Sequence, residues 1–268
     1  MSAPTPHVAE IVARLRAAGC VFAEEEAALL LAEAAARTST VAGGAACDHL
    51  EPLLDRRLAG EPLEHVLGWV EFLGRRYAVA PGVFVPRRRT ELLVETAVGL
   101  IARGDPVIDL CCGCGAIGAA IAAVVPGVDV HASDVDPAAV AIARRNLPPS
   151  RVVEGDFLDP LPVMLRGSVA LIVCNAPYVP TAALPFMPSE AREHEPQRSL
   201  DGGRDGLDWH RRLAREARDW LGPGGHVLVE AAEDQAPVSA AVFEAAGFAA
   251  RIVRDDEREA TAVVAAAL

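Results

Sequence analysis

From residue 107 onward, short apolar runs alternate with helical stretches, and this alternation constrains the fold of the chain more than any other feature. Strands are read at 107–110, 128–132, 151–154, 170–174 and 226–230, with helices at about 115–124, 137–146, 207–221 and 235–246. The run Val169-Ala170-Leu171-Ile172-Val173-Cys174 is apolar on consecutive residues, the pattern of a buried strand. Strand–helix alternation of this kind predicts a parallel sheet with helices packed on both sides. Two final runs, 250–253 and 260–266, read as a closing antiparallel pair.

Residues 8 to about 67 have a different pattern. Val8, Ile11, Val12 and Leu15 recur at helical spacing, 24–36 is a second helical run, and Leu50, Leu53, Leu54 and Leu58 mark a third. Asp48 and Glu51 stand at capping-box spacing ahead of that third run. A short β-hairpin follows, with strands around 70–72 and 77–79 joined through Leu73-Gly74-Arg75, and then a helix over 90–102. The domain organisation expected is therefore a helical domain at 1–68, a hairpin linker at 69–88 and an α/β domain at 89–268.

The loop after the first of the alternating strands reads Asp109-Leu110-Cys111-Cys112-Gly113-Cys114-Gly115-Ala116-Ile117-Gly118. Glycines let backbone approach a ligand closely, and the helix that follows offers unpaired N–H groups. Asp134 ends the second strand, where a carboxylate accepts both ribose hydroxyls of a nucleotide cofactor. Asp156-Phe157 ends the third, where a carboxylate and a ring can flank an adenine. Gly113-x-Gly115-x-x-Gly118 with Asp134 about twenty residues on also fits the dinucleotide fingerprint, so a NAD-linked enzyme competes. Three features favour S-adenosylmethionine. Asp109 precedes the glycines, where it can meet the cationic methionine end, and the closing antiparallel pair is unlike a plain dinucleotide half. The third is Asn175-Ala176-Pro177-Tyr178 at the end of the fourth strand, which has no task in hydride transfer.

That tetrapeptide points to methylation of a planar –NH2 group. The nitrogen of an amide or exocyclic amine is a poor nucleophile because its lone pair is delocalised. The Asn175 side-chain oxygen and the Ala176 carbonyl can accept its two hydrogens and aim it. The alternative is a strand ending in an ordinary turn, since Asn and Pro are common turn residues.

These segments resemble the protein-(glutamine-N5) methyltransferases, which methylate a glutamine amide in peptide-chain release factors. The resemblance runs from about Glu61 to the C-terminus. It is carried by Glu61-Pro62-Leu63, by Phe84-Val85-Pro86-Arg87 through Thr90-Glu91, by the Asp109 loop and by Asn175–Tyr178. The segment most specific to the family is Leu200-Asp201-Gly202-Gly203 with Asp205-Gly206-Leu207-Asp208. The resemblance implies a class I S-adenosylmethionine-dependent methyltransferase fold, Rossmann-like, with a mostly parallel seven-stranded sheet behind an N-terminal helical substrate-binding domain. It implies that Cys111, Cys112, Gly113, Cys114 and Gly115 line the methionine end of the cofactor, with Asp109 and Asn175 beside them. Asp134 would hold the ribose, Asp156 and Phe157 would flank adenine, and Asn175, Ala176, Pro177 and Tyr178 would clamp the amide. The implied partner is a protein with an exposed glutamine loop, first of all a release factor.

Several positions depart from the family pattern. Ala176 replaces the first of two prolines, although Pro177 still favours an extended residue 176. Arg88 and Arg89 stand where the family has proline and an acidic residue. Cys111 replaces a glycine, which requires a negative φ there. Together they mark a variant branch.

Composition narrows the alternatives. The formal net charge of -12 opposes sequence-independent binding to nucleic acid, which counts against adenine-N6 and guanine-N2 methylation of DNA or RNA, the other users of Asn-x-Pro-Tyr, and leaves a small-molecule N-methyltransferase as the further alternative. Every basic residue is arginine, and Arg75, Arg76, Arg87, Arg88 and Arg89 are a candidate grip on an acidic partner or else plain solvated charge. The six cysteines and seven histidines lack metal-ligand spacing, so free thiols near the sheet crevice and no metal are expected. Met1-Ser2-Ala3-Pro4-Thr5-Pro6 shows no leader pattern and no apolar run reaches a membrane span. A cytoplasmic monomer is the expectation.

Overall fold

The computed structural model describes residues 8–40 and 46–268. The N-terminal hexapeptide read for a leader lies outside those residues, as do the side chains of Cys47 and Asp48. The chain divides into two compact units, Met1–Trp69 and Val70–Leu268.

The first unit holds α1 (Val8–Ala17), α2 (Ala23–Thr40), α3 (Ala46–Leu58) and α4 (Leu63–Leu67). Ile11 and Leu15 from α1, Ala27 and Leu30 from α2, and Leu50, Leu53 and Leu54 from α3 form its core. These are the apolar positions recurring at i, i+3 and i+4, so the helices pack along the stripes their sequences present. Helix α3 begins ahead of Asp48, so the capping-box spacing there does not mark the helix start. Inside the unit Arg57 pairs with Glu26 at 2.6 Å, both side chains about one-tenth exposed, and a pair so dry needs both partners.

From the unit boundary onward, β1 (Trp69–Phe72) and β2 (Arg75–Ala78) form the hairpin, followed by α5 (Glu91–Val98). Then come β3 (Pro106–Leu110), α6 (Ala116–Val124), β4 (Asp129–Asp134), α7 (Pro137–Asn146), β5 (Val152–Glu154) and β6 (Val169–Cys174). The chain ends with α8 (Ser189–His194), α9 (Asp208–Glu216), β7 (Leu221–Glu230), α10 (Ala236–Ala245), β8 (Phe248–Asp255) and β9 (Ala260–Ala267). The seven-stranded sheet has the order β5-β4-β3-β6-β7-β9-β8. It is parallel from β5 to β7 and antiparallel where β9 enters between β7 and β8.

Strand residues alternate between two cores, as a pleat requires. Val107, Leu171, Val173 and Leu228 face the layer containing α5, α6 and α7. Ile108, Leu110, Ile172, Cys174, Val227 and Val229 face the layer containing α9 and α10. Helix α7 begins at an Asp136 N-cap that accepts from the Ala138 N–H, with Pro137 in its first turn. The hairpin is tied down by Asn146, which accepts from the Ala78 N–H at 2.8 Å and donates to the carbonyls of Ala78 and Cys114.

The chain leaves β3 toward β4 on one side and later returns to β6 on the other. The carboxyl ends of β3, β4 and β6 therefore surround the switch point, the crevice where such sheets bind ligands. No helix among the described residues is long and apolar enough to cross a membrane.

A buried histidine gives the fold a pH signature. His210 on α9 is fully buried, with Nδ1 2.7 Å from the Ser239 hydroxyl of α10 and no partner at Nε2. Burial, aided by the nearby Arg211 charge, lowers its pKa from 6.5 to about 4. The unfolded chain therefore binds a proton that the folded one refuses, so this contribution is complete above pH 6.5 and is lost as pH falls toward about 4. The loss is on the order of 3 kcal/mol. We expect urea denaturation of the native protein to show this decline between pH 6.5 and 4, and His210→Gln to remove it. An identical pH slope in the variant would contradict this.

Candidate active site

Three strand ends are stitched to one another beneath the crevice. The Cys112 N–H donates to the Ser133 carbonyl at 3.1 Å, joining the loop after β3 to β4. The Ser133 hydroxyl donates to the Phe157 carbonyl at 2.8 Å, joining β4 to the turn after β5. At the tip of β4, Asp134 accepts from the Gly113 N–H through Oδ2 and from the Asp136 N–H through Oδ1, each at 2.8 Å. Burial raises its pKa, opposed by those backbone donors. A carboxylate held by backbone N–H groups at a fixed angle is suited to accepting hydroxyls, because its orientation is set before a ligand arrives.

The glycines shape the same loop. Gly113 and Gly115 take positive φ (55° and 76°), with Gly115 the left-handed N-cap of α6. Gly118 is needed for a different reason: a Cβ there would lie 2.9 Å from both Asp109 Oδ2 and Val130 Cγ1.

One large cavity is lined by Cys111, Cys112, Gly113, Cys114, Asp134, Asp156, Phe157 and Asn175 through Tyr178. Gly115 lies beside it as the cap of α6 and Asp109 is not on its wall. Asp109 is fully buried, with Oδ2 accepting from the Gly118 N–H at 2.8 Å and Oδ1 unpartnered. Burial pushes its pKa up to about 8. This carboxyl braces the loop against α6 from inside, because the residue before the crevice points into the core when the strand is covered on both faces.

Cys111 departs from expectation in its backbone. It takes φ 55° and not the negative φ expected of a non-glycine residue, a conformation costing roughly 1–2 kcal/mol for a side chain with a Cβ. The turn after β3 demands it, and the side chain packs against the same core layer as Cys174. Leu110 and Cys174 are in register on β3 and β6, so Cys111, Cys112, Cys114 and Cys174 do gather at the crevice as free thiols. Burial pushes the Cys114 thiol up to about 12.

The aromatic side of the cavity contains a residue that the sequence did not flag. Trp209 lies 5.9 Å from Phe157, centroid to centroid, and lines the cavity with it. Arg212 stacks 4.5 Å above Phe157 and pairs with Asp156 at 2.6 Å, so the Asp156 carboxylate is engaged sideways. Trp209 stands one helical turn from Arg212 on α9, and only the folded chain brings this pair against Phe157.

On the far side, Asn175 donates through Nδ2 to the Thr90 hydroxyl at 3.2 Å. Ala176 is buried. The Tyr178 phenol donates to Glu230 Oε1 at 2.9 Å, and burial raises its pKa well above the usual phenol range. The segment 200–208 braces this strand end. Val179 donates to the Leu200 carbonyl and accepts from the Gly202 N–H, while Gln235 Nε2 donates to the carbonyls of Tyr178 and Asp205 at 2.9 Å. A Cβ at Gly202 would lie 2.7 Å from the Pro177 carbonyl, and one at Gly206 would strike the Tyr178 carbonyl. The glycines of this segment are thus spaces into which the acceptor loop fits.

Of the five arginines read as a possible grip, only Arg87 and Arg89 line the cavity. Arg87 pairs with Glu195 at 2.6 Å, Arg88 with Glu257 at 3.6 Å and Arg89 with Glu230 at 3.1 Å, so these three are paired individually and do not form one basic patch.

Residues 77–186 match the methyltransferase small domain family. The chain is 39% identical to a release factor glutamine methyltransferase from Geobacter sulfurreducens over 73% of this chain and 69% of that protein. It is 38% identical to a 4-amino-L-phenylalanine/4-methylamino-L-phenylalanine methyltransferase from Streptomyces pristinaespiralis, over 72% of this chain and 68% of that one. In fold it is similar to a methyltransferase from Pyrococcus furiosus, with a TM-score of 0.54 at 18% identity, covering 72% of this chain and 89% of the other. The chain spans about two thirds of the length of the curated relatives it matches. The class I sheet order, the glycine loop beside a strand-end carboxylate and the similarity to the Geobacter protein agree: the chain belongs to the release factor glutamine methyltransferase family, whose members use S-adenosylmethionine.

Proposed function

We propose that the chain transfers a methyl group from S-adenosylmethionine to the side-chain amide nitrogen of a glutamine in a peptide-chain release factor. The observation that carries this reading is the orientation of Asn175. With Nδ2 spent on the Thr90 hydroxyl, its Oδ1 is the end offered to a ligand, next to the Ala176 carbonyl. Two acceptors at the lip of β6 fit the two hydrogens of a primary amide.

The cavity fits the cofactor chemically. Asp134, pre-set by two backbone donors, matches a ribose diol, and Phe157 with Trp209 gives an adenine an aromatic wall. Cys111 through Gly115 leave backbone at the methionine end. When bound, the cofactor supplies an electrophilic methyl on a sulfonium. The protein's part is to orient the amide nitrogen in line with that methyl and to hold its hydrogens, so that the lone pair is directed at the carbon. Asn175 and Ala176 perform this by accepting the two N–H groups, and Pro177 and Tyr178 wall the amide plane. No side chain is required as a strong base, because the proton is acidic once the nitrogen is alkylated and can leave afterwards. The helical unit is the candidate holder of the protein substrate.

A second acceptor class, an aryl amine on a free amino acid, is favoured by the Streptomyces pristinaespiralis relative together with Ala176, which removes a ring from the pocket wall. Tandem mass spectrometry after incubating the enzyme, labelled cofactor and a recombinant release factor tests the proposal. Label on a glutamine side-chain nitrogen is expected. Label on an aromatic amine and not on the protein would replace it with the second reading.

Two substitutions separate cofactor from acceptor. Asp134→Ala should weaken S-adenosylmethionine binding by roughly 1–3 kcal/mol, the loss of charge-assisted hydrogen bonds, and calorimetry finding unchanged affinity would move the ribose elsewhere. Asn175→Ala should lower kcat by about 10²–10³, as for one preorganised polar contact to the reacting group, with cofactor affinity nearly unchanged. A loss of cofactor binding equal to the loss of rate would show that Asn175 serves the cofactor and not the acceptor. In the same calorimeter, NAD should give no heat of binding.

A further inference from the structure

The 3-10 turn Arg88–Thr90, at the start of α5, reaches both polar side chains of the acceptor segment. Thr90 is 1% exposed, and its hydroxyl accepts the Asn175 amide hydrogen at 3.2 Å. A primary amide is a donor at one end and an acceptor at the other. Whichever end the protein engages, the opposite end faces the ligand. Here the Thr90 hydroxyl accepts from Nδ2, which leaves Asn175 Oδ1 as the end free for a ligand.

Tyr178 is held from behind. Glu230 is the last residue of β7, paired with Ala262 on β9 and following Val229, which is in register with Cys174. Its backbone is fixed by the sheet, and its side chain is 4% exposed and absent from the cavity wall. Both the Tyr178 phenol and Arg89 Nε donate to Glu230 Oε1, at 2.9 and 3.1 Å. The Arg89 guanidinium also lies over the Tyr178 ring, 5.8 Å from its centroid. A ring anchored at Cα and again at its hydroxyl cannot swing about χ1, so the wall it forms is fixed. Arg89 offsets the charge of a carboxylate that would otherwise be buried without a counterion.

We propose that the turn Arg88–Thr90, together with Glu230, is the positioning element of the acceptor site. Thr90 sets the amide of Asn175, and Glu230 with Arg89 sets the ring of Tyr178. These are positioning residues, acting through the side chains that meet the acceptor. The rate effects rest on the amide-acceptor reading above, whereas the geometry of the hold does not.

The test uses the full chain with Thr90→Val, which keeps the shape and loses the hydroxyl, and Glu230→Leu, which loses the acceptor oxygen. Thr90→Ser and Glu230→Gln are the conservative partners. With a recombinant release factor and labelled S-adenosylmethionine, Thr90→Val and Glu230→Leu should lower kcat by about 10- to 100-fold while KM and cofactor affinity stay within about twofold. The Ser and Gln variants should recover most of the rate. Unchanged kcat in both disruptive variants, or parallel losses of cofactor affinity and thermal stability, would overturn the proposal. A native enzyme that leaves the release factor unlabelled would count against the acceptor assignment instead, and the hold on Tyr178 is then read directly. The chain has two tyrosines, so ring-labelled tyrosine gives two sets of NMR signals, assigned with Tyr178→Phe. Glu230→Leu should shift and average the Tyr178 ring signals, and Glu230→Gln should preserve them. Unmoved Tyr178 signals in Glu230→Leu would also overturn the proposal.

Discussion

The parallel pairing of β3 with β6 is the constraint on which the site depends. Leu110 is in register with Cys174, so the cofactor loop and the acceptor segment leave neighbouring strands at the same level. Strands in a sheet lie about 4.8 Å apart. That spacing brings the two loops side by side at the crevice, the proximity that the proposed transfer requires. A register slip of one residue would turn every strand side chain to the opposite face, and the two cores that cover the sheet do not permit it.

Around that pairing, the site as proposed has a cofactor half and an acceptor half of different character. The cofactor half is mostly backbone: positive-φ glycines, the N-terminus of α6, and an Asp134 carboxylate already satisfied by two N–H groups. Such a surface is rigid because the main chain is held by the sheet. The acceptor half is made of side chains, and each is fixed by a neighbour far along the chain. Asn175 is held by Thr90, Tyr178 by Glu230, and the Tyr178 carbonyl by Gln235. The segment 200–208 closes this half by fitting its glycines against Pro177 and Tyr178. Its glycines are there for room, since a methyl group at Gly202 or Gly206 would displace the acceptor loop.

The strand–helix pattern, the closing antiparallel pair and the lining role of Asp134, Phe157 and Asn175–Tyr178 were legible because each rests on local chemistry. Apolar runs, glycines before a helix and a polar residue at a strand end carry their meaning within a few positions. Element ends were less legible: β7 starts at Leu221, ahead of the 226 that apolarity marks, because Leu221 already pairs with Val169 before an irregular stretch that ends where His226 pairs with Leu171. Two details were set by the tertiary structure: the buried Asp109 carboxyl accepts from the Gly118 N–H and lies off the cavity wall, and Cys111 took a left-handed backbone where a negative φ was expected.

By itself, the sequence determined the class of fold and the chemistry available at each strand end, since both follow from periodicity and residue type over short spans. It could not determine which distant residues hold those groups. Trp209 beside Phe157, Thr90 on Asn175 and Glu230 behind Tyr178 join positions separated by scores of residues. Such pairs exist only after the sheet has ordered its strands as β3, β6 and β7 side by side. Hydrogen bonds act over about 3 Å, so only the tertiary structure, which decides what comes within that distance, could select the residues that aim the acceptor.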